Sequence, residues 1–274
     1  MPIDVHIHST GGEDGNKVLK AMDAVGLAHV VIMSRPPHWS LNPELPNEVG
    51  HRAIIDDIAR MVAPDPARMI GFGWIEPTLP DAVEMVDYAL GEKQLSGIKM
   101  IPHHWYPDDP RAQTCYAKIN AYGKPMLFHS GILWSWGNTS KYCRPAEFEI
   151  MCEYPRIRFA LAHMSWPWTD ECFAVCGKFR AAGDYKVENW RVYADITSGA
   201  PRIWKVDAMR KGLAYMGDTQ FVYGSDCFNA EDPEALKPNL VMDREILEEC
   251  GCSKETMERI FTTNAEKWLG IESR

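Results

Sequence analysis

Short apolar runs, rich in β-branched residues, recur along the chain at intervals of about 30 residues, the length of one strand–helix step. Each run has four to seven residues, which suits a buried strand. The eight predicted strands are Ile3–Ile7, His29–Met33, Met69–Ile75, Gly97–Ile101, Pro125–Phe128, Ile157–Ala162, Arg191–Ile196 and Thr219–Tyr223.

The segments between these runs place apolar residues at helical spacing. The clearest are Val18–Val25, Ala53–Val62, Ala82–Leu90, Ala112–Tyr122, Cys172–Phe179 and Ala208–Met216. Alternating strands and helices predict parallel βαβ units, and eight units predict a (β/α)8 barrel. A doubly wound sheet is the alternative, but it usually has fewer strands, and no GxGxxG turn follows the first strand.

No linker-like stretch divides the chain, so we predict a single barrel domain over residues 1–274. Three further helices, Asp243–Cys250, Lys254–Phe261 and Asn264–Leu269, are expected to form a C-terminal tail that closes the barrel.

Composition excludes several classes of function. Acidic residues outnumber basic ones by 38 to 29, and there is no basic stripe to bind nucleic acid. No apolar run is long enough to span a membrane, and the N-terminal sequence does not resemble a signal peptide. The eight cysteines form no CxxC pair. We therefore expect a cytoplasmic protein that binds neither nucleic acid nor membranes.

Polar residues follow four of the predicted strands. His6 and His8 end the first strand, His129 follows the fifth, His163 the sixth and Asp226 the eighth. The carboxyl ends of barrel strands meet at one face, where the active sites of such barrels lie. Each residue alone would more often belong to the core, but their joint placement predicts a metal site. Imidazoles with a carboxylate suit zinc, manganese or iron, and we expect zinc.

The same motifs resemble the amidohydrolase superfamily, and most closely its amidohydrolase-2 branch of small metal-dependent hydrolases and decarboxylases. The resemblance runs from residue 4 to Asn264 and includes Asp4-Val5-His6-Ile7-His8, Gly97-Ile98-Lys99, Phe128-His129-Ser130-Gly131 and Tyr223-Gly224-Ser225-Asp226. These motifs are specific for the fold and for metal binding, but they indicate little about the substrate.

The resemblance implies a role for each strand-end residue. His6, His8 and His129 would ligate the metal. Asp226 would ligate it or bind the metal-bound water, and would carry protons. His163 would be a further ligand or the group that polarises or protonates the substrate.

Lys99 has two possible roles by this resemblance. It could be a carboxylated lysine that bridges two metals, or a plain cation that pairs with a substrate carboxylate. We favour one metal, because the branch mostly works with one. Asp195, after the seventh strand, is a candidate hydrogen-bond partner in the site, whereas Asp4 is expected to orient the backbone or a ligand histidine.

Two reactions suit this constellation. The first is hydrolysis of a small carboxyl derivative, such as a lactone or amide, by a metal-activated water. The alternative is nonoxidative decarboxylation of a small aromatic or unsaturated acid. Decarboxylases of the branch tend to be longer, so the chain length favours hydrolysis. A barrel that binds a ligand without turnover is the alternative from another functional class. Such a protein should lack some of the metal-binding and catalytic residues, whereas here every expected position carries one.

Aromatic and basic residues in the strand-end loops suggest a small, planar, anionic substrate. Arg35, Lys99, His103, Trp134 and Trp166 are the predicted substrate-binding residues. His38, Trp39 and Trp136 lie in the same loops and are further candidates. Exposed aromatic residues also suggest a homodimer.

Overall fold

Eight parallel strands form one sheet in the order β1 to β8 in the computed structural model, which describes residues 1–37, 50–135, 137–184, 186 and 189–271. The backbone N–H of Val5 donates to the carbonyl of Tyr223 at 3.0 Å, which joins β1 to β8 and closes the barrel. The predicted barrel is therefore confirmed. The strands are β1 Ile3–His8, β2 His29–Met33, β3 Met69–Trp74, β4 Gly97–Met100, β5 Met126–Phe128, β6 Phe159–Leu161, β7 Val192–Asp195 and β8 Phe221–Val222.

Nine α-helices are present in the described ranges, and most of them surround the sheet. They are α1 Gly15–Val25, α2 His51–Val62, α3 Ala82–Asp87, α4 Pro110–Tyr122, α5 Thr169–Ala182, α6 Arg202–Met216, α7 Pro233–Glu249, α8 Lys254–Glu258 and α9 Asn264–Leu269. The described part of the connection after β5 has no α-helix and instead contains 3-10 helices at Ser140–Cys143 and Pro145–Glu153. None of the helices in these ranges is long and apolar enough to cross a membrane.

Local sequence sets the ends of several helices. At the start of α1 the Asp14 side chain accepts a hydrogen bond from Asn16 N–H, and Gly26 ends the helix at φ 78°. Helix α6 begins at Arg202, six residues before the predicted start. Its first turn carries Ile203 and Trp204, which are apolar but exposed. Apolar residues on the solvent side obscure the amphipathic pattern, so the sequence did not reveal this turn.

Buried apolar residues form two clusters. The larger cluster lies between the strands and the surrounding helices. The smaller one fills the barrel interior with alternate strand residues such as Val5, Val31 and Phe72, joined by Trp268 from α9. The Trp268 and Phe72 rings lie 5.7 Å apart. The C-terminal tail thus closes the N-terminal end of the barrel and leaves the opposite end for polar residues.

Candidate active site

A one-residue irregularity in β1 directs its two histidines into the barrel. Asp4 pairs with Val30 and Ile7 with Ile32, so β1 contains one residue more than β2 between these points. Val5 faces the interior, whereas Ile7 packs on the outer side. Strict alternation would send His6 outward with Asp4, but the bulge turns it inward. Bulges that re-aim a side chain are common beside active sites.

His6 lies at the centre of the polar cluster and is fully buried. Its Nδ1 lies 2.6 Å from Oδ2 of Asp195, and its Nε2 lies 3.1 Å from Nε2 of His8. A carboxylate on Nδ1 fixes the imidazole tautomer and leaves Nε2 as the ligating atom, an arrangement found around metal-bound histidines. Asp195 therefore orients His6. Asp4 accepts hydrogen bonds from the backbone N–H groups of His6 and Ser225, so it orients the backbone, as expected.

His163 is placed by a strained segment after β6. His163, Met164 and Ser165 have φ values of 60°, 47° and 56°, a left-handed region that costs non-glycine residues about 1–2 kcal/mol each. Nδ1 of His163 lies 2.5 Å from the Ser198 carbonyl and 2.8 Å from the Thr197 hydroxyl. With Nδ1 held in this way, the remaining Nε2 is available to a ligand.

Asp226 completes the cluster from the turn after β8. Its Oδ1 lies 3.2 Å from Nε2 of His8 and 3.4 Å from Nε2 of His6. The preceding Gly224 allows this approach, because a Cβ there would lie 2.5 Å from Cβ of His6 and 2.6 Å from Thr197. Asp226 itself has a φ of 58°, so its backbone is also strained.

These side chains fit a divalent transition metal. Nitrogen atoms of His6 and His8 and one Asp226 oxygen converge on a single point. Donor atoms of His6, His163 and Asp226 also lie within 4.8 Å of one another. The donors are imidazole and carboxylate, the set that suits zinc, manganese or iron.

Burial favours the neutral form of the histidines. It lowers the pKa of His6, His8 and His163, and nearby Lys99 lowers these pKa values further. Burial alone would raise the pKa of Asp226. His6 and the hydrogen bond from His8 outweigh it and hold that pKa well below its usual range. Neutral imidazoles beside an ionised carboxylate are the states that bind metal.

Two further predicted site residues lie next to the cluster. The His129 ring lies 5.1 Å from the His163 ring, and its Nε2 is 3.2 Å from the Ile132 carbonyl. Its predicted role as a ligand stays a prediction. Lys99 is fully buried, with Nζ 3.4 Å from Nε2 of His6. Burial lowers the pKa of Lys99 to about 8, although Asp226 and Asp195 oppose the shift.

A cavity of about 320 Å³ opens above the cluster, a volume typical of small-molecule sites. His8, His129, His163 and Asp226 line its polar end. The walls are mainly apolar and include the predicted residues Trp134 and Trp166. The remaining lining residues are Ser9, Pro36, Trp74, Ile101, Ile132, Leu133, Gly199 and Phe228.

Three predicted substrate-binding residues do not line this cavity in the described parts of the chain, and one of them is Lys99, which lies beside His6. Arg35 contacts Asp57 at 3.1 Å, and His103 lies beside Glu76. Whether any of the three binds substrate stays a prediction. His38, Trp39 and Trp136 lie outside the residues that the structure describes.

Sequence reasoning missed several residues that shape the site. Thr197 and Ser198 hold His163, and both follow directly after Asp195 and Ile196 at the end of β7. Their position after a strand was the signal that could have identified them. Trp74 and Ile101 also line the cavity, but they look like ordinary strand residues in the sequence.

A family model for amidohydrolases, that of the amidohydrolase-2 branch, matches residues 3–271. The chain belongs to this amidohydrolase family. Its members are metal-dependent enzymes, including hydrolases and decarboxylases, so the predicted family and a divalent metal are supported together. No curated protein sequence matches the chain.

Solved structures with the same fold are distant in sequence. A manganese complex of 5-carboxyvanillate decarboxylase from Novosphingobium aromaticivorans has 15% identity over 99% of this chain and 96% of that chain, with a TM-score of 0.69. The 2,6-dihydroxybenzoate decarboxylase from Rhizobium has 14% identity over 98% of this chain and 98% of that chain, with a TM-score of 0.65.

A probable 2-pyrone-4,6-dicarboxylic acid hydrolase from Acinetobacter baumannii has 12% identity over 98% of this chain and 99% of that chain, with a TM-score of 0.63. At these identities the structures support the barrel fold. They do not decide between hydrolysis and decarboxylation.

Proposed function

We propose that this amidohydrolase family member catalyses metal-dependent, nonoxidative decarboxylation of a small hydroxylated aromatic or unsaturated carboxylic acid. The observation that carries the proposal is the division of the cavity into one polar end and apolar walls. A flat ring with its carboxylate and hydroxyl group at the polar end would match this division. The order of preference thus differs from that of the sequence analysis, which placed hydrolysis first.

The charged residues around the cavity suit a substrate that carries a single carboxylate, placed at the polar end. No lysine or arginine is among its described lining residues, and residues 38–49, which lie outside the description, contain neither type. A second carboxylate on the substrate would therefore lack a cationic partner in an apolar wall, which is costly. Loss of carbon dioxide also leaves a less charged product in the same cavity, whereas ester or amide hydrolysis creates a new carboxylate.

His6, His8 and Asp226 would hold the metal, with His129 as a further ligand. A bound divalent ion would supply Lewis acidity to the substrate oxygens and lower the pKa of a bound water molecule. Asp195 holds Nδ1 of His6 at 2.6 Å, which would leave Nε2 free to bind the ion. The apolar walls, which include Trp134, Trp166 and Phe228, would hold the ring flat.

Decarboxylation requires a proton for the ring carbon that loses carbon dioxide. Asp226 Oδ1 lies 3.2 Å from Nε2 of His8 and 3.4 Å from Nε2 of His6, so it suits a ligand better than an acid. His163 lines the cavity, and its Nδ1 is anchored by Thr197 and Ser198. We assign the proton transfer to Nε2 of His163, which first takes up a proton from solvent because the proton of the neutral ring lies on Nδ1. The carbon–carboxylate bond then breaks as the carbon–hydrogen bond forms.

Hydrolysis remains the second candidate because an ionised Asp226 at the cavity end could accept a proton from an attacking water. This reaction would suit a lactone or other cyclic carboxyl derivative with apolar flanks. The hydrolase among the similar folds is consistent with it, although that likeness supports the fold alone.

The deciding experiment is turnover of monocyclic hydroxybenzoates and aryl lactones by manganese- or zinc-loaded protein. For decarboxylation we expect release of carbon dioxide and, in deuterium oxide, one deuterium on the ring carbon. His163→Asn should abolish this transfer while the protein keeps its metal. His29→Gln is the matched control, because His29 lies at the other end of the barrel and binds the Ala67 carbonyl. Lactone opening without decarboxylation would establish hydrolysis instead.

A further inference from the structure

A second group of potential metal ligands lies outside the cavity. Glu76 follows β3, and His103 and His104 follow β4. One donor atom from each of the three residues lies within 4.8 Å of the other two. None of them lines the active-site cavity, and none belongs to the cluster around His6. We propose that Glu76, His103 and His104 form a second binding site for a divalent transition metal of the zinc type.

The distances from Glu76 to the two histidines suit a bridging ion better than direct hydrogen bonds. Nε2 of His104 also lies 3.1 Å from the Thr78 hydroxyl, a contact that it would give up on binding a metal. Glu76 Oε2 lies 3.6 Å from Nδ1 of His103, and its Oε1 lies 3.7 Å from Nε2 of His104. Both separations exceed normal hydrogen-bond lengths. Ligands bound tetrahedrally to one zinc ion at about 2.0–2.2 Å lie about 3.3–3.6 Å apart, close to the observed spacing.

The negative charge on the buried Glu76 side chain would also be stabilised by a bound cation. Glu76 is 4% exposed, and its ion-pair partners within 4 Å, among the residues that the structure describes, are His103 and His104. A buried carboxylate without a compensating charge is unfavourable. Burial and the neighbouring His103 lower the pKa of His104, which favours its neutral, ligating form. Arg111 interacts electrostatically with Glu76 but is paired with Asp109 at 2.7 Å, so a metal ion would supply a positive charge in direct contact with the carboxylate.

Neighbouring side chains hold the carboxylate in place, as second-layer partners of metal ligands do. The Thr78 hydroxyl donates to Oε1 of Glu76 at 2.6 Å, and Trp105 Nε1 donates to Oε2 at 3.3 Å. The backbone N–H of Glu76 donates to Nε2 of His51 at 2.9 Å. The carboxylate is thus fixed on two sides, while both histidines approach it from the β4 loop.

The carbonyl of Ile101 supplies a further oxygen near the site, 3.1 Å from Nδ1 of His103. This nitrogen can donate a proton to the carbonyl, or it can share a cation with it. The two imidazole rings are also packed edge to face at 4.1 Å. Two nitrogens and a carboxylate form a donor set that selects zinc, cobalt, iron or manganese over calcium.

An ion here would connect the loops after β3 and β4. Trp74 and Ile101 line the active-site cavity, and each lies two residues before a proposed ligand, Glu76 or His103. The second ion would therefore brace one wall of the cavity without contacting the substrate. This role does not depend on which reaction the active site performs.

The test counts bound metal and requires no substrate. Protein stripped with a chelator is titrated with Zn²⁺ against a chromophoric competitor, and the bound ions are counted by native mass spectrometry. We expect two equivalents of different affinity. His104→Gln and Glu76→Gln should each lose one equivalent and keep the other. His29→Gln, a substitution at the opposite end of the barrel, should keep both.

The reciprocal variant isolates the proposed site. His6→Ala combined with Asp226→Ala should still bind one equivalent, and Co²⁺ in that protein should give visible d–d absorption that disappears on adding His104→Gln. The His104 side chain is 49% exposed, so its substitution should not prevent folding even if Glu76→Gln does. One equivalent in the wild type that survives His104→Gln would refute the proposal. Two equivalents that survive it would also refute the proposal and would place both ions at the barrel centre.

Discussion

The two ends of the barrel interior differ in their side chains and in their backbone. At the N-terminal end, Trp268 packs on Phe72 and the neighbouring strand residues in an apolar cluster. At the C-terminal end the strands present imidazole and carboxylate groups. Six non-glycine residues in the described chain have positive φ, and four of them lie at this polar end: His163, Met164, Ser165 and Asp226.

The comparison shows how stability and chemistry are separated in this fold. The apolar end uses regular backbone and close packing, so it contributes hydrophobic free energy to folding. The polar end holds His163 and Asp226 in strained conformations, which persist because the surrounding structure fixes them. Substitutions at the two ends should therefore change different measured quantities.

The largest expected effect comes from His6→Ala or Asp226→Ala. Each removes a donor from the proposed metal site, so the bound metal should be lost and turnover should fall by about 10²–10⁴-fold or more. Metal analysis by plasma mass spectrometry and an assay on the best panel substrate measure both effects. His29→Gln should leave both quantities unchanged. Full metal content in both variants would contradict the assignment of the site.

Trp268→Ala tests the opposite end. Removing this fully buried side chain should lower the free energy of unfolding by about 3–5 kcal/mol, because it leaves a cavity in the interior cluster. Denaturant titration gives the value, and the folded variant should keep its metal. Trp204→Ala, at a side chain that is 54% exposed, should cost less than about 1 kcal/mol. Similar losses in the two variants would mean that Trp268 does not anchor the interior.

Asp195→Asn should weaken metal binding by about 10–100-fold, the usual effect of losing the carboxylate partner of a ligand histidine. Competition with a chelator of known affinity measures the change. Asp243→Asn is the matched control, since Asp243 is another buried carboxylate, paired with Lys205 at 2.5 Å. That variant should lose stability but keep its metal affinity. Equal affinities in Asp195→Asn and the wild type would show that Asp195 does not orient His6.

Arg35→Ala should have the smallest effect. The sequence analysis predicts that Arg35 binds an anionic substrate and that its loss raises KM. Because Arg35 contacts Asp57 instead of lining the described cavity, we expect KM to rise less than about five-fold, within the range of a partly exposed ion pair. Steady-state kinetics on the best substrate measures it, with Trp166→Ala as a larger comparison. A rise of 100-fold would place Arg35 in contact with the substrate.

Much of the fold could be predicted because its signals are local. The strand β2 matches its prediction at both ends, and the alternation of strands and helices identified the barrel. Strand β8 is shorter than predicted, at Phe221–Val222, because its flanking residues leave the parallel ladder. Sequence position also brought His6, His8, His163 and Asp226 to one face, since strand order fixes which ends meet.

The sequence by itself determined the barrel, its family and the residue types at the strand ends. The tertiary structure decided where those side chains point. The bulge in β1 turns His6 inward through its register with β2, and Thr197 holds His163 from the next strand. The group of Glu76, His103 and His104 likewise exists only because two loops meet. Side-chain direction at such places depends on contacts between distant segments, which no local pattern encodes.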